Sequence, residues 1–186
     1  MKKVYLVLTH TGTAFSNLIR KHTGNTYNHI SIAFKEDLSE MYSFGRINAY
    51  VFFYGGFVIE SPHYGTFKRF KKTIARVLEL PVEDDAYEII KSYIDQFIKD
   101  KKTFGYNFLG VLKAKNNVNY QKNYRKFYCS QFVNYLLVCA HVITENQFGH
   151  VVTPEDFCKL ENATMIYEGL LQAYAANPSL DVKVPE

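Results

Sequence analysis

The sequence contains no tryptophan and only three cysteines and five prolines among 186 residues. The cysteines, Cys129, Cys139 and Cys158, show no Cys-x-x-Cys spacing and no paired histidine motif, which argues against a zinc site. An odd number of them fits reduced thiols rather than a disulfide framework. No stretch approaches the length of a membrane span. The apolar run Val4-Tyr5-Leu6-Val7-Leu8 is too short for a signal-peptide core and lacks a small-residue cleavage site. It reads as a buried first strand, and the expected location is the cytoplasm. Large charge of one sign is also missing. A net charge of +4 permits an anionic substrate or a membrane surface without demanding nucleic acid. No pattern calls for a cofactor or a metal, and none sets an oligomeric state. With no internal repeat and no linker, residues 1–186 read as a single domain, with 177–186 as a tail.

Aromatic residues fill the place of tryptophan: 15 Tyr and 15 Phe, in a chain that is 47% hydrophobic, are enough for one sizeable core. Strands are expected at 3–8, 27–34, 40–46, 57–60, 73–80 and 163–167. The fifth of these is expected to end at Pro81. Helices are expected at 13–21, 84–102, 106–115, from Cys129 to about His141, from Pro154 with Thr153 as its cap, and at 169–176. Residues 48–56 read as a surface loop. Lys68, Arg69, Lys71 and Lys72 around Phe70 read as a solvated face. The fold class is therefore α/β (α+β), with a mainly antiparallel sheet.

Two stretches carry chemistry. In the first, 27–34, the alternation is strict: Ile30, Ile32 and Phe34 point one way, and His29, Ser31 and Ala33 the other. The second face is small as well as polar, which would let another element approach closely beside His29. In the second stretch, Phe127-Tyr128-Cys129-Ser130-Gln131-Phe132-Val133, a polar loop becomes an apolar helix. Phe132, Val133, Leu136, Leu137 and Ala140 recur at helical spacing, and Cys129 lies on the same stripe one turn earlier. A thiol in a first helical turn meets unpaired backbone N–H groups and the positive end of the helix dipole, and both favour thiolate. A strand histidine followed by a helix-start cysteine is the pair a cysteine hydrolase or acyltransferase needs. The imidazole holds the thiolate and later protonates the leaving group. The small Ser31–Ala33 face is expected beneath the Cys129 helix.

Asn28-His29-Ile30-Ser31-Ile32 and Tyr128-Cys129-Ser130-Gln131-Phe132-Val133, in that order, resemble the circularly permuted papain-like branch of the NlpC-type superfamily. That branch includes YiiX-like proteins and lecithin–retinol acyltransferase relatives. The resemblance extends from Val4 to about Leu171. It implies Cys129 as nucleophile and His29 as general base, with a third residue orienting the histidine. The branch normally carries that residue, often His, Glu, Asn or Gln, on the strand after the histidine strand. Counting across the 36–39 turn places Ser43 there, a poor chemical match. Glu60 is the better candidate, because a carboxylate fixes the tautomer and stabilises imidazolium. Glu40 is a third, close to the turn. The backbone N–H of Cys129 is the natural first oxyanion donor. Tyr106 and Tyr128 could wall the site, and His63 is a weaker alternative base. Basic residues Lys122, Arg125 and Lys126 before the cysteine favour an anionic substrate.

Two function classes follow. One is a thiol hydrolase or acyltransferase acting on a small peptide, an amide or an acyl lipid. The other is a binding module of the same fold without turnover. The intact Cys129–His29 pair favours the first, since a module without turnover has no chemical need for both residues.

Overall fold

The strand expected at the start of the chain is the centre of the molecule. In the computed structural model, which describes residues 1–12, 25–47, 55–107, 110, 125–149 and 151–177, β1 (Lys2–His10) is buried along both faces from Val4 to His10. Both of its edges are paired. β1 bonds to β2 (His29–Ala33) on one side and to β5 (Ile74–Val82) on the other. With β3 (Met41–Arg46), β4 (Gly55–Glu60) and β8 (Thr164–Leu170), the order is β4-β3-β2-β1-β5-β8, and every pair is antiparallel. A strand covered on both faces needs no polar alternation, which is why Val4 to Leu8 is a continuous apolar run. The protein is an α+β fold in which this six-stranded antiparallel sheet carries helices on both faces. No helix among the described residues is long and apolar enough to cross a membrane.

The two faces bury different things. On one, Ile30, Ile32, Phe44 and Phe57 pack against α2 (Asp84–Lys99) and α3 (Cys129–Cys139). Here the aromatic residues form one cluster, with Phe97 at 4.5 Å from Phe104 and 5.1 Å from Phe132, and Phe44 at 5.2 Å from both Phe127 and Phe132. Tilted and edge-on contacts of this kind do the work of tryptophan in a core that has none. On the other face, Tyr5, Val7, Ala33, Met41 and Val77 pack against α1 (Gly65–Arg69) and α4 (Leu171–Ala176).

This division corrects one expectation. The Cys129 helix lies on the Ile30–Ile32 face, not on the small Ser31–Ala33 face. Phe132, Val133, Leu136 and Leu137 are fully buried there, each contributing roughly 1.5–3 kcal/mol. The small face offers far less apolar area to a helix of this composition, and its small side chains leave room for polar groups instead.

Several boundaries also move. β5 runs through Pro81, which pairs with Lys3, although the sequence suggested a stop there. The β5–β8 ladder ends at Glu79–Thr164, so β5 has one neighbour at Pro81, and such an edge position tolerates a residue without an N–H. β4 begins at Gly55 rather than at Phe57. α1 had no apolar period to reveal it, because only Phe67 of its five residues is buried. Tyr106, expected in a helix, lies in β6 (Gly105–Tyr106), which pairs in parallel with β7 (Lys126–Phe127). The helix expected at 13–21, the loop at 48–54, most of 106–115, Lys122 and the tail lie outside the described residues.

Two glycines bring β6 against β4. A Cβ on Gly55 would stand 2.8 Å from both the Gly45 carbonyl oxygen and Tyr106 Cβ, and one on Gly56 would stand 2.8 Å from the Phe104 carbonyl oxygen. Backbone cannot retreat as a flexible side-chain tip can. Gly55→Ala should therefore cost about 1–3 kcal/mol and disturb Tyr106. Denaturant unfolding checks this, and a midpoint equal to the parent's would show that β6 yields freely.

Candidate active site

The N-terminal end of β2 is anchored from outside the sheet. Glu155, in the 3₁₀ helix Pro154–Lys159, accepts the backbone N–H groups of Thr26 and of Tyr27, the latter at 3.1 Å. That helix is fixed in turn by Asp156, whose Oδ2 accepts Thr153 N–H at 2.8 Å and the Thr153 hydroxyl at 2.7 Å. His29 follows directly as the first residue of β2.

β2 and β3 form the expected hairpin around the turn at 36–39, where Asp37 Oδ1 accepts the Ser39 N–H at 2.9 Å. Their ladder pairs are Ile32–Tyr42 and Ala33–Met41. Toward His29, a side chain joins the strands: Ser43 Oγ donates to the Ile30 carbonyl at 2.6 Å. Ser43 is thereby committed to the backbone. Glu40 accepts the Tyr42 hydroxyl at 2.9 Å. Of the three residues considered as partner to the histidine, it is Glu60 that meets it, with Oε2 at 2.8 Å from His29 Nε2. Ser31 is the group the sequence reading missed as part of the site. Its hydroxyl donates to the same Glu60 oxygen at 2.7 Å and stands 3.4 Å from His29 Nε2. Its place two residues from His29 on the same strand face was the signal. Across β3, Gly45 leaves the imidazole room: a Cβ there would be 3.5 Å from His29 Cε1 and 3.8 Å from Glu60 Oε1. Phe67 of α1 closes one side, its ring centre 6.4 Å from the imidazole.

Cys129 approaches from the other element. Tyr128, in extended backbone, is the N-cap of α3, and its N–H is accepted by Gln131 Oε1 at 3.3 Å. The same Gln131 oxygen takes Asn107 Nδ2–H at 3.1 Å, tying the helix start to the segment after β6. Ser130 donates to the Val152 carbonyl at 2.7 Å. These bonds hold the first turn, and the buried Cys129 thiol is near enough to His29 to bear on its protonation. With Nε2 turned to Glu60, Nδ1 is the ring nitrogen outside that contact.

An ionised carboxylate only accepts, so the Glu60 contact puts a proton on Nε2, and Nδ1 is the position at which the ring gains or loses its second proton. The side chains of His29 and Glu60 are 18% and 14% exposed, so water screens their bond weakly. Burial is the largest single influence on the imidazole and disfavours its charge. The Glu60 charge, the Cys129 and Glu60 hydrogen bonds and the charge of Cys129 together outweigh it, raising His29 from 6.5 to about 10. Burial first, then the neighbouring Cys129, pushes the Tyr106 and Tyr128 phenols up, so both stand as neutral walls.

The His29 shift has a sign that can be tested. The folded state holds a proton that the unfolded chain releases above about 6.5, so this contribution is complete below that pH and is lost as pH rises toward about 10. Glu60 from β4 and Cys129 from α3 are the ionisable groups facing the ring. The expected loss of stability across this window is on the order of a few kcal/mol. Glu60→Gln should flatten it in urea titrations at pH 6, 8 and 10. Parallel curves for parent and variant would show that Glu60 does not hold the proton.

The other thiols lie in different surroundings. Cys139 lies beside Tyr93 and Tyr135, and the exposed Cys158 accepts a hydrogen bond from Arg76 Nη1 at 3.5 Å. His63 is exposed and its N–H is bonded to Ser61 Oγ. Among the described residues, no group of three or more His, Cys, Asp or Glu could hold a metal ion.

Compared with known proteins, the chain matches no family model and no curated sequence. What the site can do follows from its own geometry.

Proposed function

We propose that this protein is a cysteine hydrolase of the permuted papain-like type, peptidase- or amidase-like, acting on an amide or ester carbonyl. One observation carries the reading: a single imidazole stands between a helix-start thiol and a shielded carboxylate, with Nε2 committed to Glu60.

In the first half-reaction, Nδ1 takes the Cys129 proton and the sulfur attacks the acyl carbon. A C–S bond forms as the carbonyl π pair moves onto oxygen. The Cys129 N–H, in the first turn of α3, is the natural donor to that oxyanion. Collapse of the tetrahedral intermediate breaks the bond to the leaving group, which takes the proton from Nδ1. In the second half, His29 removes a proton from water as it attacks the thioester, and Cys129 leaves as thiolate and recovers the proton. Glu60 keeps Nε2–H directed and balances the imidazolium in both halves, without itself taking a proton.

Residues Arg125 and Lys126, close in sequence before Cys129, favour an acyl donor bearing negative charge. The same machinery would serve an acyltransferase if an acceptor other than water reached the thioester. Labelling with a panel of acyl electrophiles, followed by peptide mapping, tests the proposal. An adduct on Cys129 that depends on His29 supports it, and labelling distributed by exposure alone, with Cys158 foremost, would overturn it.

A further inference from the structure

Ser31 is fully buried, yet it carries a hydroxyl in a strand whose neighbours Ile30, Ile32 and Ala33 are apolar. A buried hydroxyl is unfavourable unless it is bonded. Its bond goes to Glu60 Oε2 at 2.7 Å, the oxygen that also accepts His29 Nε2–H at 2.8 Å.

We infer that Ser31 is a positioning residue that locks the Glu60 carboxylate against His29. Its importance for turnover rests on the Cys129 reading above; the lock itself does not. Glu60 is the last residue of β4, next to the turn at Ser61 and Pro62, and its side chain has three torsions to restrain. A bond from His29 alone would restrain it unevenly, because that donor gains and loses charge during a reaction. Ser31 supplies a neutral donor of constant strength. It sits two residues from His29 on the same strand face, so it fixes Glu60 relative to the imidazole rather than merely to the sheet. The other hydroxyl nearby cannot substitute, since Ser43 donates to the Ile30 carbonyl.

A lock and a mere competitor for the same oxygen predict opposite results. If Ser31 only shared Oε2, its removal would leave Glu60 a stronger acceptor and the His29 titration would rise. If it holds Glu60 in place, its removal lets the carboxylate swing away and the titration falls. The experiment is a pH titration of the His29 imidazole nitrogens by NMR in the parent, Ser31→Ala and Ser31→Thr proteins. The ionisable groups facing the ring, Glu60 and Cys129, are present in all three. Ser31→Ala should lower the His29 midpoint by about half a pH unit or more and slow Cys129 alkylation at neutral pH several-fold. Ser31→Thr, which keeps the hydroxyl, should recover both. A midpoint unchanged or raised in Ser31→Ala would overturn the proposal, as would a drop in thermal stability with no change in titration. If Thr does not fit the buried site, Ser31→Ala decides alone. An unchanged or raised His29 midpoint in Ser31→Ala strikes the lock; absence of Cys129 labelling in the parent strikes the nucleophile assignment instead.

Discussion

Cys129→Ala should abolish covalent labelling by an acyl electrophile and any turnover on the matching substrate, by roughly 10⁴-fold or more. Sulfur is the only atom at this place that can form the acyl bond. The remaining thiols have other neighbours: Cys139 lies beside Tyr93 and Tyr135, and the exposed Cys158 accepts a hydrogen bond from Arg76. The structural cost should be small. Cys129 is buried at the tip of α3, but Phe132, Val133, Leu136 and Leu137 carry the packing of that helix. Removing one sulfur should cost about 1 kcal/mol. Circular dichroism and thermal melting separate the two effects. Iodoacetamide will also reach the exposed Cys158, so the decisive reagent is one whose adduct passes through an oxyanion. Undiminished labelling in Cys129→Ala would end the hydrolase proposal.

His29→Ala should lower the rate at Cys129 by about 10²–10⁴-fold, the usual range for removal of a general acid–base. Glu60→Gln should lose less, because imidazole and oxyanion donor remain and only the direction of Nε2–H is disturbed. The pH profile distinguishes a chemical role from a structural one. Parent protein should show a rate that tracks the protonation of the coupled Cys129–His29 pair; His29→Ala should show that of a thiol without an imidazole. Removing His29 also leaves the Glu60 carboxylate shielded and without its cation, with the Ser31 hydroxyl as its remaining partner. His29→Gln, which can still donate to Glu60, is the control for that loss. Equal rates in parent, Ala and Gln proteins would reduce His29 to a packing residue.

Not every part of this arrangement was visible in the chain. The 3.6-residue stripes of α2 and α3 are long and amphipathic, so their existence was plain. The five-residue α1 buries only Phe67, and one buried residue makes no period. Pro81 misled because its effect depends on whether a neighbouring strand needs its N–H, and that is decided by where β8 ends. Tyr106 misled because β6 is two residues long and exists through its pairing with β7 and the room left by Gly55 and Gly56.

The sequence by itself determined the α+β class, the β2–β3 hairpin, and the presence of a helix-start thiol and a strand histidine. These follow from local periodicity and from the chemistry of single side chains, while the three candidate partners for the histidine came with the family resemblance. Which partner meets the imidazole was a tertiary decision. Ser43 and Glu40 stand nearer His29 in sequence, but hydrogen bonds to Ile30 and Tyr42 engage them, while Glu60 reaches it from β4. The face on which the Cys129 helix lies was decided there too, by the larger apolar area of Ile30, Ile32 and Phe44. Alternation says that a strand has two faces. Only the rest of the core says which helix each face receives, because burial is a property of the assembled surfaces and not of either strand alone.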